Sequence, residues 1–294
     1  MPYPYKTVLL ALAGLVLLLA AGCSNPARQE TTAGSGAAGM EIRWRDKGLE
    51  RMLREYLDKP SGVIYRSELA DIQSMHIVGT DIRRPGESEE SFAARLQSRG
   101  EQGRQSGDNQ RRLIYSLDDL VHFSGLTQLI LEKGRAEDIS ALAALTGLTE
   151  LELRDYLIRD ITPLAGLKNL TRLSLNGNYK ELAGLEPLSF LPHLRELDLG
   201  NCGFSSPNPL APLAAVPNLT KLNLAGCKID DLTPLRELAG LRELDLSTEI
   251  PNGSLAPLAG LNNLETPAGQ KRPGQRSGAS GRFNRADHPG PEEQ

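Results

Sequence analysis

Aromatic residues are scarce, making up 4% of the 294 residues, with a single tryptophan. Protein interfaces draw their strongest anchors from Trp, Tyr and Arg. The chain is therefore poorly supplied for a large, tight aromatic interface. Histidine occurs four times, at His76, His122, His193 and His288, and the four are scattered over the pattern described below. Cysteine occurs three times, at Cys23, Cys202 and Cys227, and no histidine stands at ligand spacing from them. That leaves no metal-binding cluster and no Ser-His-Asp or Cys-His arrangement. No Gly-rich loop follows a strand to cradle a phosphate. These absences argue against an enzyme, and neither a cofactor nor a metal is expected. Positive charge is not in excess: the formal net charge is −4, so there is no nucleic-acid footprint. Long apolar runs are also lacking. The one candidate, from Val8 to Ala21, is 14 residues, within signal-peptide range and short of the roughly 20 needed to span a bilayer.

That run ends in Leu19-Ala20-Ala21-Gly22-Cys23, which resembles a bacterial lipobox. The resemblance implies that residues 1–22 are a signal peptide and that Cys23 becomes a lipidated first residue. Ala20 departs from the pattern, which usually has Leu there. The other reading is an ordinary signal peptide cut after Ala-x-Gly. Residues 23–40 are rich in Ser, Thr, Ala and Gly and read as a flexible tether. Together these features place the chain in the bacterial cell envelope, at the outer membrane or cell surface, held by its N-terminal lipid.

What the chain has in abundance is leucine in a fixed pattern. L-x-x-L-x-L begins at Leu126, Leu148, Leu170, Leu194, Leu219 and Leu241, in steps of 22, 22, 24, 25 and 22 residues. Self-similarity at this period is the mark of a leucine-rich repeat. The last two leucines alternate as strand residues do. Ile161, Leu164 and Leu167 then return along the opposite side of the coil. One coil cannot bury these side chains alone, so neighbours must stack and their strands must form a parallel sheet. The Pro of T-P-L-A-G-L suits the first turn of a short helix on the return side.

The D-I-T-P-L-x-x-L-x-x-L-x-x-L-x-L form resembles the 22-residue repeats of bacterial internalins. That family implies a curved solenoid that binds macromolecules, usually proteins, without catalysis. The expected fold class is α/β: a leucine-rich repeat solenoid with a curved parallel sheet on one face, short helices or turns on the other, and an N-terminal helical cap. Residues 41–60 are the cap, with Leu49, Leu53, Tyr56 and Leu57 at helical spacing. Residues 61–266 are the repeat domain. Ile72, Met75 and Ile77 open its first coil, and Ile114, Leu117, Leu120 and Phe123 close it, with about 29 extra polar residues between. This insert, 83–112, is expected to be a mobile loop with at most one weak helical turn near Phe92–Leu96, and to be dispensable for folding. Residues 267–294 are Gly-, Pro- and Arg-rich and are expected to be disordered.

Candidate binding residues lie at the x positions of the strands. One column reads Ser74, Gln128, Glu150, Arg172, Glu196, Lys221 and Glu243, and its alternating charges are close enough to pair sideways. The next reads His76, Ile130, Glu152, Ser174, Asp198, Asn223 and Asp245 and is acidic. With no basic neighbour in that column, its carboxylates are expected to be unnecessary for stability and available to a partner. Tyr156 and Tyr179, after their strands, are the aromatic candidates for contact. Cys202 and Cys227 each stand three residues past a strand leucine, where this repeat takes Asn or Cys. They read either as buried thiols or as a disulfide between stacked coils. The expected function is binding of a protein or other macromolecule through the strand face. The alternative is an envelope scaffold or spacer with no specific ligand.

Overall fold

The computed structural model describes residues 40–103, 114–246 and 254–265, with side chains of 100–103 left out. The signal peptide, Cys23, nearly all of the tether, positions 104–112 of the insert and the tail 267–294 lie outside the described residues.

Eight strands form one sheet. They are β1 (Ser74–Val78), β2 (Asp81–Ile82), β3 (Gln128–Glu132), β4 (Glu150–Arg154), β5 (Arg172–Ser174), β6 (Glu196–Asp198), β7 (Lys221–Asn223) and β8 (Glu243–Asp245), in spatial order β2-β1-β3-β4-β5-β6-β7-β8. β2 returns antiparallel to β1, and every other pairing is parallel. The register is the one that the repeat requires: Leu129, Leu151, Leu173, Leu197, Leu222 and Leu244 stand side by side. All six point inward and are buried. The return side is a row of 3-10 turns, such as Thr162–Gly166 and Thr233–Glu237, with Pro near the start. The Asp of D-I/L-S/T starts these turns: Asp138, Asp160 and Asp231 each accept the N–H two residues on at 2.8 Å. The leucine-rich repeat solenoid expected from the sequence is the observed fold.

Side chains also stitch one coil to the next. The hydroxyls of Thr127, Thr149, Thr171 and Thr220 donate to carbonyls of the preceding coil at 2.9–3.1 Å. On the return side the amides of Asn169, Asn218 and Asn263 do the same. The asparagines supply donors to backbone oxygens at the turns, and the threonine hydroxyls add to oxygens that already accept backbone N–H groups of the next coil.

The first coil is covered by α1 (Lys47–Tyr56) and the short α2 (Arg66–Ala70). α1 buries Leu49, Met52 and Leu53, the apolar stripe seen in the sequence, over a shorter span than 41–60. Buried Asp46 caps it, accepting from the Leu49 N–H and also from the N–H groups of Tyr115 and Ser116. Asp119, 2% exposed, accepts from the N–H groups of Arg45 and Asp46. Two carboxylates thus tie the N-terminal segment to the closing half of the first coil.

The described part of the insert is not a loop. It folds as α3 (Glu89–Gly103), 15 residues long. Its composition is polar, but Glu, Ala, Arg, Leu and Gln are good helix formers, and Glu89 and Glu90 suit the first turn. One apolar anchor suffices to hold it down: Phe92 is 2% exposed and meets the His76 ring edge-on at 5.1 Å. Around it Arg95 bonds both oxygens of Glu87 at 2.8 Å, Asp81 at 3.2 Å and the Ile82 carbonyl at 2.9 Å. Arg99 also pairs with Asp81. The expectation of a mobile loop is therefore corrected, and the packing of Phe92 and Arg95 argues against a dispensable insert.

Phe92→Ala should lower stability by about 3 kcal/mol, the usual cost of emptying an aromatic site, and a thermal melt will read it. A second expectation concerns acid. Hydrogen bonds from Arg95 and from the Arg84 N–H take the Glu87 carboxyl from 4.5 to about 2. A depressed carboxyl stabilises the fold above its unfolded pKa and loses that contribution as pH falls through the folded one. α3 should therefore loosen between about pH 4.5 and 2, seen as faster hydrogen exchange of its amides. Glu87→Gln should exchange fast at neutral pH and lose most of this acid dependence.

Candidate functional site

Parallel pairing places the x positions of successive coils side by side on one face. At the β1 end that face is closed. His76 lies under α3, its side chain 10% exposed, with Glu132 3.4 Å from Nε2 and Glu89 3.6 Å from Nδ1. The contact with His76 holds the Glu132 carboxyl below its ordinary range. His76 is therefore no part of an open binding face, and its place in the column is covered by the helix that sequence reading took for a loop.

From β4 to β8 the face is open and carries a depression of about 610 Å³. Its walls bring together Glu152, Asp198, Asn223 and Asp245 from the second column with Arg172, Glu196, Lys221 and Glu243 from the first. Arg154 and Glu265 complete the charged lining, so six carboxylates face three cations. The surface is net acidic.

The first column largely neutralises itself. Arg172 pairs with Glu150, which also accepts from Gln128 at 2.7 Å. Lys221 pairs with Glu243 at 3.0 Å, and that contact raises its pKa. Glu196 sits between Arg172 and Lys221 in the register but makes no ion pair among the described residues. The expected alternation is present, with each cation turned to one neighbour rather than shared between two.

The second column is held by neutral donors. Asp198 accepts from Ser174 Oγ at 3.1 Å, Asn176 Nδ2 at 3.1 Å, Asn223 Nδ2 at 2.8 Å and the Gly200 N–H at 3.0 Å. Both its oxygens are engaged across three strands. The expectation that Asp198 is unnecessary for stability is thus corrected, because removing it would leave three side-chain donors without their acceptor. Gly200 makes room for the cluster: a Cβ there would lie 2.6 Å from Asn176 Nδ2 and 3.0 Å from Asn223 Nδ2. Asn176 and Gly200 were not singled out in the sequence. The available signal was a glycine two residues after an Asp whose cross-strand neighbours are Ser174 and Asn223. Glu152 pairs with Arg154 at 2.8 Å. Partial burial nevertheless raises its pKa, with Glu132 and Asp198 adding to the effect.

The tyrosines separate. Tyr179 is 70% exposed after β5, outside the depression lining. Tyr156 is 1% exposed, and burial pushes its phenol well above the ordinary range. Its ring lies over Gly134, where a Cβ would stand 2.1 Å from Cζ. Tyr156 is a core residue, so the expectation of an exposed contact residue there is corrected. The cysteines resolve in the same direction. Cys202 Sγ donates to the Leu175 carbonyl at 3.0 Å and Cys227 Sγ to the Leu199 carbonyl at 2.9 Å. Asn178 does the same to Leu153 at 2.8 Å. Burial pushes the two thiols up to about 12 and about 11. They form one ladder with Asn178, and the disulfide alternative is not realised.

The family model for the leucine-rich repeat matches residues 193–213. A search of curated proteins finds no match. Among solved structures, the chain is similar to internalin C2 (inlC2) from Listeria monocytogenes, at 27% identity and a TM-score of 0.53, covering 74% of this chain and 91% of that one. It is similar also to an internalin (inlF) from the same organism, at 25% identity and a TM-score of 0.53, covering 74% of this chain and 67% of that one. The stacked leucine columns, the Asn/Cys ladder and these likenesses agree: the fold is a leucine-rich repeat solenoid, and its array is similar to those of internalins.

Proposed function

We propose that this chain is a lipid-anchored, extracytoplasmic binding protein whose open strand face takes a cationic segment of a protein partner. The observation that carries the reading is the acidic depression over β4–β8, left open while α3 covers β1. Leucine-rich repeat proteins commonly work through protein–protein contact, and their stacked strands supply a broad, rigid surface for it. Oppositely charged surfaces steer and select partners more than they add raw affinity. With no aromatic side chain in the depression lining, recognition here is electrostatic and polar, and the expected complex is salt-sensitive. The anchor rests on Leu19–Cys23 and the polar residues after it.

Binding of a synthetic arginine-rich peptide tests the face. The double variant Glu152→Gln/Asp245→Asn should lose about three- to tenfold in affinity at low salt, since exposed pairs are worth about 0.2–1 kcal/mol each, with little change in melting temperature. Asp198→Ala should instead cost about 1–3 kcal/mol of stability by unpairing its partly buried donors. If the double variant binds the peptide as the parent does, the acidic column is not the binding surface.

The anchor has its own test. Two or more acyl chains hold a protein on a bilayer stably, whereas none does. Cys23→Ser should leave the precursor uncut or release the processed protein from the membrane fraction. A fully processed mutant that still sediments with membranes would remove the lipid from this account.

A further inference from the structure

The described chain leaves the repeat array at Glu265, and Glu265 lines the acidic depression. Its N–H bonds the Arg242 carbonyl at 2.6 Å, continuing the pairing that opens each coil. Whatever follows therefore starts at the rim of the open face. Read as sequence, residues 267–286 carry Lys271, Arg272, Arg276, Arg282 and Arg285 and no acidic residue; the first acid after Glu265 is Asp287. A segment of one sign thus begins where a surface of the other sign ends.

The lengths fit. From Glu265 to Lys271 the chain extends up to about 20 Å at about 3.3 Å per residue. The four interstrand steps from β8 back to β4 span about 19 Å at about 4.8 Å each. The basic segment can reach any part of the depression without drawing on the rest of the tail. We infer that residues 267–286 are an intramolecular occupant of the strand face over β4–β8, pairing their lysine and arginines with its unbalanced carboxylates and competing with a cationic partner. The inference rests on the reading of that face as a surface for cationic segments. It adds a regulator: the chain carries its own competitor. A short tether gives an attached ligand an effective concentration in the millimolar range. Weak docking of the tail, with a dissociation constant of about 0.1 mM, would therefore occupy the face about nine-tenths of the time. It would reduce apparent partner affinity about tenfold.

Two measurements on the full chain test this. Lys271 is the one lysine beyond Lys228, so a zero-length carboxyl-to-amine crosslink from it reports where the tail lies. Crosslinks at low salt to Glu196, Glu243 or Asp245 within one chain, lost at about 1 M salt where the Debye length is about 3 Å, are the expected result. Crosslinks only to carboxylates elsewhere, or only between isotopically distinct copies, would overturn it. The second measurement is the affinity of the arginine-rich peptide for Arg272→Glu/Arg276→Glu/Arg282→Glu/Arg285→Glu. Reversing the tail charges should tighten binding about tenfold at low salt, and an unchanged affinity would overturn competition by the tail. Failure of the peptide to bind this variant at all, with the parent's crosslinks present, would remove the partner reading and leave the tail docked. Equal peptide binding without crosslinks would do the reverse.

Discussion

Stacking of one coil on the next is the interaction on which this structure depends. Each coil from β3 to β7 brings five to seven buried leucines or isoleucines and cannot enclose them, so its stability is borrowed from its neighbours. The parallel ladder fixes the distance between coils, and the leucine columns fill the space that this distance leaves. Side-chain bonds then add to the backbone ladder. Asn178, Cys202 and Cys227 donate inward to the carbonyl of the preceding strand leucine. The threonines do so at the strand entry and the return-side asparagines behind the turns. A cysteine serves in this ladder because the task is to donate one weak hydrogen bond from a small, buried group. The same burial keeps both thiols protonated, so they are poor nucleophiles despite the expected oxidising location.

Much of this was legible in the sequence because the repeat states its constraint in every coil. The strand positions, the register, the return turns and the identity of the exposed columns all follow from the leucine period. Single-copy features were not legible, for a physical reason. α3 occurs once, is polar on average, and is held by one buried aromatic and a network of arginines. Composition argued for a loop because it averages over Phe92 and does not register that Arg95 has Asp81 and Glu87 within reach. Tyr156 was misplaced for a related reason. Its burial depends on a glycine 22 positions earlier, a contact between coils that neither coil reveals alone. Asp198 was read as isolated because its neighbours were searched for cations, and it is held by amides and a hydroxyl.

The closed and open parts of the face have different origins. Over β1 the sheet carries His76, which lies beneath Phe92 of α3 and beside Glu132 of β3, so that end is covered. Beyond it nothing in the described chain crosses the strands, and the residues there stay polar. A sheet face left open needs charge on it to discourage association through its apolar side chains. The first column supplies that charge in pairs of opposite sign, which cancel at a distance and leave little field.

The second column supplies a field because from β4 to β8 it holds three carboxylates and no cation of its own, although Glu152 pairs with Arg154 of the next column. Glu152, Asp198 and Asp245 are separated by Ser174 and Asn223, so successive carboxylates are two strand steps apart, about 10 Å. That is about the Debye length at 0.1 M salt, so their mutual repulsion is modest although their sum is felt from solvent. The intervening Ser174 and Asn223 also donate to Asp198, which lets a carboxylate stand on the sheet without a cation of its own. A lysine or arginine in either position would have steadied Asp198 equally well and erased the field. The choice of neutral donors thus separates holding the carboxylate from cancelling it. An extended segment lying across the strands meets carboxylates at that pitch of about 10 Å. It matches them with a basic side chain at every third residue, at about 3.3 Å per residue.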